Sequence, residues 1–325
     1  MSLDLPTYEN VAEAARRLQP HVVRTPLLRS AALDEITGGT ILIKAEPLQR
    51  TGSFKFRGAT NAVLQLTQAQ RRAGVVSHSS GNHGQALACA AASAGVASTI
   101  FMPSDAPAIK VDSTRGWGAT IVPFDRLNAD RDKLGKDFAA NNGATLIPPF
   151  DHPHVIAGQG SVAMEMVEQS REFGLTMDSL LVCTGGGGLI AGCALAIEGA
   201  SPGTLVQPVE PAGWDDTACS LAAGTRLPAT GGSLLCDALL SKMPGELTFA
   251  INQLRLGPGI AVTDDEVLAA IAFAFLRLKV VVEPGGAVCL AAILAGKLET
   301  KGKIVGLVLS GGNVDPAVFA RALAA

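Results

Sequence analysis

Short apolar runs alternate with longer alanine-rich stretches along most of this chain. A brief apolar run bounded by glycine, proline or polar clusters reads as a strand buried on both faces, and a longer alanine-rich stretch reads as a helix. The pattern predicts strands at Thr40–Ala45, Gly74–His78, Ser98–Met102, Thr120–Phe124, Ser179–Cys183, Leu205–Val209 and Lys303–Leu309. It predicts helices at Phe56–Leu66, Gln85–Ala94, Ile109–Trp117, Asn128–Asn141 and Leu189–Glu198. Strands and helices that alternate in this way imply an α/β protein with parallel sheets flanked by helices. In open sheets of this kind, sites lie at the carboxyl ends of strands. A compact run of alternating elements from Gly74 to Asp151 predicts a small domain over residues 74–151. The segments 1–73 and 152–325 then form a larger one.

Composition narrows the class. A chain of 325 residues is long enough for two ordinary domains. The net charge is −3 with no basic stripe, so neither nucleic acid nor an anionic membrane is an expected partner. No window approaches a membrane span, and Met1–Pro6 lacks the basic and apolar regions of a signal peptide. Cys89, Cys183, Cys193, Cys219, Cys236 and Cys289 have no paired spacing, and most sit in small-residue apolar runs. They read as reduced, buried thiols of a cytoplasmic protein rather than as a zinc site or disulfide framework.

Four segments carry chemistry. Lys55 lies between Phe54 and Phe56 in a run flanked by Gly52 and Gly58. An apolar setting disfavours the ammonium form, and the neutral amine is a nucleophile able to condense with an aldehyde cofactor. Taken alone, Lys55 also fits a solvated lysine at a turn. Gly185, Gly186, Gly187 and Gly188 follow a predicted strand and open a predicted helix. Their unhindered N–H groups and the helix terminus make a cradle for a phosphate, the other reading being a flexible loop. Neither a Lys-Ser/Thr pair nor the dinucleotide spacing accompanies it. Ser79, Ser80, Gly81, Asn82 and His83 sit at a second strand end, where hydroxyls, an amide and helix amides suit a carboxylate. Either serine alone fits an N-cap equally well. Ser310 follows the last strong strand and precedes Gly311 and Gly312, in a place that suits either a ring partner or a simple turn.

Together with Glu283-Pro284, these segments resemble the fold-type-II pyridoxal-phosphate enzymes, whose fold is that of the tryptophan synthase beta subunit. The match is to the serine/threonine dehydratase and serine racemase branch, which includes 3-hydroxyaspartate ammonia-lyases, and it covers nearly the whole chain. The resemblance implies that Lys55 is the Schiff-base lysine and the base at Cα. It implies that the backbone of Gly185, Gly186, Gly187, Gly188 and Leu189 holds the cofactor phosphate. Asn82 would bond the ring 3′-oxygen, Phe54 would pack on the ring and Ser310 would face the pyridine nitrogen. Ser79, Asn82 and His83 would receive the substrate α-carboxylate, and Ser80 would also contact the substrate. Ser80 matches the racemase base across the cofactor plane from the lysine. Arg131 would approach the substrate side chain and suit the second carboxylate of 3-hydroxyaspartate.

Glu210, Trp214 and Asp216 resemble the branch's divalent-metal loop. Two carboxylates and a backbone carbonyl would take a structural Mg²⁺, Ca²⁺ or Mn²⁺. The chain departs from the branch at Cys236-Asp237-Ala238, where Ala238 replaces a glycine near the cofactor, and in the run Gly285-Gly286-Ala287. The implied activity is dehydrative deamination of serine, threonine or 3-hydroxyaspartate, with racemisation as the alternative. A non-catalytic binding protein on the same fold and a β-replacement synthase are weaker alternatives. The implied partners are a small amino-acid substrate and a second copy of the chain.

Overall fold

A computed structural model describes residues 3–79, 81–104, 106, 108–125 and 129–324, with residues 108, 109, 131 and 132 described by backbone alone. Ten strands lie among the described residues: β1 (Leu27–Leu28), β2 (Thr40–Ala45), β3 (Val75–His78), β4 (Ser98–Pro103), β5 (Thr120–Phe124), β6 (Thr145–Leu146), β7 (Ser179–Cys183), β8 (Leu205–Pro211), β9 (Ile260–Val262) and β10 (Ile304–Leu309). They form a six-stranded sheet of order β1-β2-β10-β7-β8-β9 and a four-stranded sheet of order β5-β4-β3-β6. Every pairing is parallel except the edge pair β1–β2, so the larger sheet is mixed where an all-parallel one was expected. Strands β2, β7 and β10 are almost wholly buried because helices cover both faces, which is why they read as continuous apolar runs.

Helix boundaries follow the expectation with two informative shifts. The helix predicted from Gln85 begins at Asn82 and runs to Ser93, so Asn82 and His83 occupy its first turn rather than a loop. The helix predicted from Asn128 spans Arg131–Asn142, and Asn128 lies outside the described residues. The longest helix, Pro153–Glu172, is absent from the predicted elements. It carries Gly158 and Gly160, which look like helix breakers in sequence. Both are required by close packing: a Cβ on Gly160 would lie 2.6 Å from the Gly192 carbonyl, and one on Gly158 would lie 2.8 Å from Gly58 Cα. Pro153–Glu172 thus seats two helices that open at the site, Lys55–Leu64 and Gly188–Ala200.

The Lys55–Leu64 helix joins both halves of the molecule. Phe56, Ala59, Ala62 and Val63 pack in the core of the four-stranded sheet with Leu87, Ile100 and Met102. Arg57 leaves on the other side and is fully buried. Its guanidinium donates to both Glu46 oxygens and both Glu165 oxygens, at 2.6–2.8 Å. Lys44, also fully buried, donates to Glu165 at 2.6 Å and to the Thr25 carbonyl at 2.7 Å. Burial alone raises a carboxyl such as Glu46, but the Arg57 guanidinium reverses that and holds it below the ordinary range. Among the described residues, no helix is long and apolar enough to cross a membrane.

Candidate active site

β2 and β10 are parallel neighbours with Ala45 opposite Leu309, so the loops that follow them leave side by side. Backbone bonds tie those loops together: Phe54 N–H donates to Ser310 O at 3.0 Å and Gly312 N–H to Gly52 O at 2.9 Å. The Asn313 amide donates to Thr51 O at 2.8 Å. Thr51 is held at φ 60°, a left-handed conformation that few threonines adopt. The turn delivers Lys55 to the first position of its helix, one residue beyond Phe54, whose N–H is bonded to Ser310. Lys55 Nζ donates to the Pro149 carbonyl at 2.8 Å and lies 5.1 Å from the centre of the Phe54 ring. Burial pushes its pKa down to about 8, with the negative end of Glu283 opposing.

The glycine run leaves β7 and turns at Gly187, where φ is +90°. A Cβ at Gly186 would overlap the Phe150 ring, and one at Gly188 would sit 2.9 Å from Phe150 Cα. The loop therefore wraps Phe150 at a distance only glycine allows. The first amides of the Gly188–Ala200 helix have no intrahelical acceptor and point out of the helix end. Thr248 Oγ1 donates to Gly186 O at 2.8 Å, and Asp151 caps the helix carrying Thr248 through bonds to Glu246, Leu247 and Thr248 N–H. Phe150, Asp151 and Thr248 support the cradle with no local motif to announce them.

At the end of β3, Asn82 is oriented from both sides. Its Nδ2 donates to Glu283 Oε1 at 2.6 Å and its Oδ1 accepts from Asn313 at 2.8 Å. Glu283 is buried, and burial followed by the charge of Asp237 pushes its carboxyl up to about 7. Its motif was visible in the sequence, but its partner was not. His83 Nε2 lies 3.0 Å from the Ile147 carbonyl, so that nitrogen carries the proton and the buried Nδ1 is bare. Burial, helped by Lys55, pushes His83 down to about 3. The imidazole is thus neutral and offers no proton to a carboxylate, which leaves only its backbone N–H for that task. Ser79 Oγ accepts from Gly81 N–H at 3.2 Å. Ser80 lies outside the described residues, as does the side chain of Arg131.

One cavity gathers Phe54, Lys55, Ser79, Asn82, His83, Gly185–Gly188, Leu189 and Ser310 from four strand ends. Cys183, Phe150, Glu283, Lys110, Asp237 and Ala238 complete much of its wall. Lys110 and Asp237 form an ion pair across the wall. Glu210, Trp214 and Asp216 do not line the cavity. Glu210 accepts N–H bonds from Thr217 and Ala218 at 3.0 and 2.8 Å, and burial raises its carboxyl to about 8. Asp216 is 1% exposed, neither of its carboxyl oxygens has a partner, and burial raises it to about 7. No cluster of three or more His, Cys, Asp or Glu side chains with metal-ligating geometry occurs among the described residues.

The chain is similar to known proteins over nearly its full length. The chain is 43% identical to the L-threo-3-hydroxyaspartate ammonia-lyase of a Pseudomonas species, over 99% of each chain. It is 41% identical to the serine racemase of Schizosaccharomyces pombe, over 99% of this chain and 98% of that one. The structure of maize serine racemase superimposes with a TM-score of 0.92 at 35% identity, covering 98% of this chain and 97% of the other. The family described as pyridoxal-phosphate dependent enzyme matches residues 18–311. A half-buried lysine that shares its cavity with a glycine cradle, with relatives alike from end to end, places this chain in the pyridoxal-phosphate dependent enzyme family.

Proposed function

We propose that this chain is an ammonia-lyase that converts a β-hydroxy amino acid into a 2-oxo acid and ammonia, with 3-hydroxyaspartate, serine and threonine as the candidate substrates. The observation that carries the reading is Lys55: its amine, lowered to about 8, opens into the same cavity as the glycine cradle and Ser310. The residues fit the cofactor. The cradle leaves no room for side chains, Asn82 keeps one amide hydrogen beyond the one given to Glu283, and Ser310 stands at a strand end and lines the same cavity as Lys55. Pyridoxal phosphate, when bound, supplies an electron sink for charge at the substrate Cα.

The chain's own groups do the rest in this proposal. Backbone N–H groups of Gly185–Gly188 and Leu189 hold the phosphate, and Phe54 flanks the ring. Asn82, oriented by Glu283 and Asn313, donates to the ring 3′-oxygen. The Ser310 hydroxyl would stand by the ring nitrogen and, being neutral, would not hold a proton there as a carboxylate would, which suits loss of a β-substituent better than prolonged charge at Cα. Ser79 and the amides at the start of the Asn82–Ser93 helix hold the α-carboxylate. Lys55 would hold the cofactor aldehyde and, with its amine free and neutral, would take the proton at the substrate Cα. The β-hydroxyl would leave as water with a proton that balances the one removed from Cα, and the released enamine would tautomerise to an imine that takes up one water to give the 2-oxo acid and ammonia.

Racemisation is the second reading, favoured by the serine racemase relatives. It needs a base on the other face of the substrate, and Ser80 is our candidate. Arg131 is our candidate for the distal carboxylate of 3-hydroxyaspartate. We also propose a structural divalent cation, Mg²⁺, Ca²⁺ or Mn²⁺, held by Glu210, Asp216 and the Trp214 carbonyl. The two unpartnered, buried Asp216 oxygens support it, because an unpaired buried carboxylate is costly. The division into 74–151 and the remainder, a homodimeric state and a cytoplasmic setting complete the proposal.

The test is release of ammonia and 2-oxo acid from D- and L-forms of the three hydroxy amino acids, with and without chelator. Activity that disappears in Lys55→Ala supports the lyase. Ser80→Ala should abolish racemisation and spare elimination of the L-substrate. No oxo acid from any substrate, with cofactor supplied, refutes the lyase reading.

A further inference from the structure

The two departures from the branch pattern, Ala238 and the Gly285 run, meet in space. Ala238 belongs to a strap, residues 236–241, held by its own turns: Leu239 N–H donates to Cys236 O at 2.8 Å and Ser241 N–H to Leu239 O at 2.9 Å. Leu239 is wedged between two glycines. A Cβ on Gly185 of the cradle would lie 3.0 Å from Leu239 Cα. A Cβ on Gly285 would lie 3.1 Å from Leu239 Cγ and 3.3 Å from Ala238 Cβ. All three distances are tighter than ordinary van der Waals contact, so the strap sits this deep only because both facing positions lack a side chain.

The strap also has a definite place along the cavity. Its Leu239 end touches the cradle. Its Asp237 end pairs with Lys110, and these two residues line both the inner cavity and an adjoining outer one that reaches Gly81 and Asn82. Lys55 and Ser310 come from other strand ends. A substrate whose Cα faces Lys55 and whose carboxylate lies near Asn82 has the strap among the walls open to its side chain.

We propose that the strap sorts substrates by side-chain size. The Ala238 methyl is the limiting group, and Gly285 is the seat that sets how far the methyl stands into the cavity. This inference rests on the cavity being an amino-acid site. The methyl lost from the wall in Ala238→Gly should be recovered as room for substrate. A single methylene of misfit in a tight apolar pocket changes discrimination by about 10-fold or more.

The experiment uses the holoenzyme with Ala238→Gly, Ala238→Val, Gly285→Ala and the double variant Ala238→Gly/Gly285→Ala. Two readouts are taken: kcat/KM for threonine relative to serine, and equilibrium binding of alanine, 2-aminobutyrate and norvaline by thermal shift and change in the visible spectrum. The second set lacks the β-hydroxyl and reports size without elimination. Ala238→Gly should shift both readouts toward the larger member by about 10-fold. Ala238→Val should shift them the other way, and Gly285→Ala should mimic Ala238→Val by pressing the strap inward. The double variant should return toward wild type. Equal changes for all sizes, or unaltered size grading in every variant, overturns the proposal. Size-graded binding with no oxo-acid release from any hydroxy amino acid leaves the wall standing and removes the lyase reading instead.

Discussion

Replacing Arg57 with methionine tests how the lysine-bearing helix is held. Arg57 stands two positions beyond Lys55 and carries the only cation that touches both Glu46 and Glu165 among the hydrogen bonds described here. With Lys44 the group contains two cations and two carboxylates, so its charges balance. Methionine matches the length of the arginine stem but leaves the buried Glu46 and the partly buried Glu165 facing one ammonium. Breaking a buried pair from one side costs about 3–5 kcal/mol, a large part of the roughly 5–15 kcal/mol that keeps a typical protein folded. The pH dependence should change sign. In the wild type Glu46 lies below the ordinary carboxylate range, so its contribution is complete at neutral pH and fades as pH falls through its folded value. In Arg57→Met burial dominates and Glu46 moves above that range. The variant should then gain stability as the pH is lowered from neutral, because protonation removes the stranded charge. Urea unfolding of both proteins at several pH values reads this directly, and Glu46→Gln/Arg57→Met should recover part of the loss. A destabilisation below about 1 kcal/mol, or parallel pH profiles for the two proteins, refutes the reasoning.

Two other substitutions and one labelling experiment test the cradle, Lys55 and the Asp216 loop. Gly186→Ala places a methyl group on the Phe150 ring and, at about 1–3 kcal/mol for overpacking, should weaken cofactor binding by about 10-fold or more; titration of the apoprotein with pyridoxal phosphate reads it, and unchanged affinity would show that the loop yields freely. Lys55 in the apoprotein should react with amine reagents at a rate that rises through about pH 8, well below the usual lysine range, and site-resolved labelling by mass spectrometry would expose an ordinary lysine if none of that shift appears. Asp216→Asn should remove the rise in melting temperature that Mg²⁺ or Ca²⁺ gives the wild type; a wild type indifferent to both cations and to chelator ends the metal proposal.

The parts of the site legible in sequence are those whose chemistry is local. The glycine cradle needs only consecutive residues without side chains, and the apolar runs of β2, β7 and β10 announce strands covered on both faces. Strands β1, β6 and β9 have two or three residues each, too few to carry a period. The Pro153–Glu172 helix was hidden by glycines that its neighbours demand, since propensity penalises Gly158 and Gly160 while helix packing requires them. That His83 lies beside the site was legible, and the bond of its ring to the Ile147 carbonyl, 64 positions away, was not.

From sequence alone, this chain declares a parallel α/β framework, a lysine in an apolar turn, an anion cradle and the family to which they belong. Each of these depends on residue type over a few neighbouring positions. Tertiary structure decided which groups meet. Asn82 and Glu283 are 201 positions apart, and Arg57 and Glu165 are 108 apart. Their contacts exist because parallel strands distant in sequence end side by side, and because helices packed glycine to glycine bring buried charges within bonding distance. The depth of the Ala238 strap has the same origin: it is set by two missing side chains, at Gly185 and Gly285, that come together only in the folded protein.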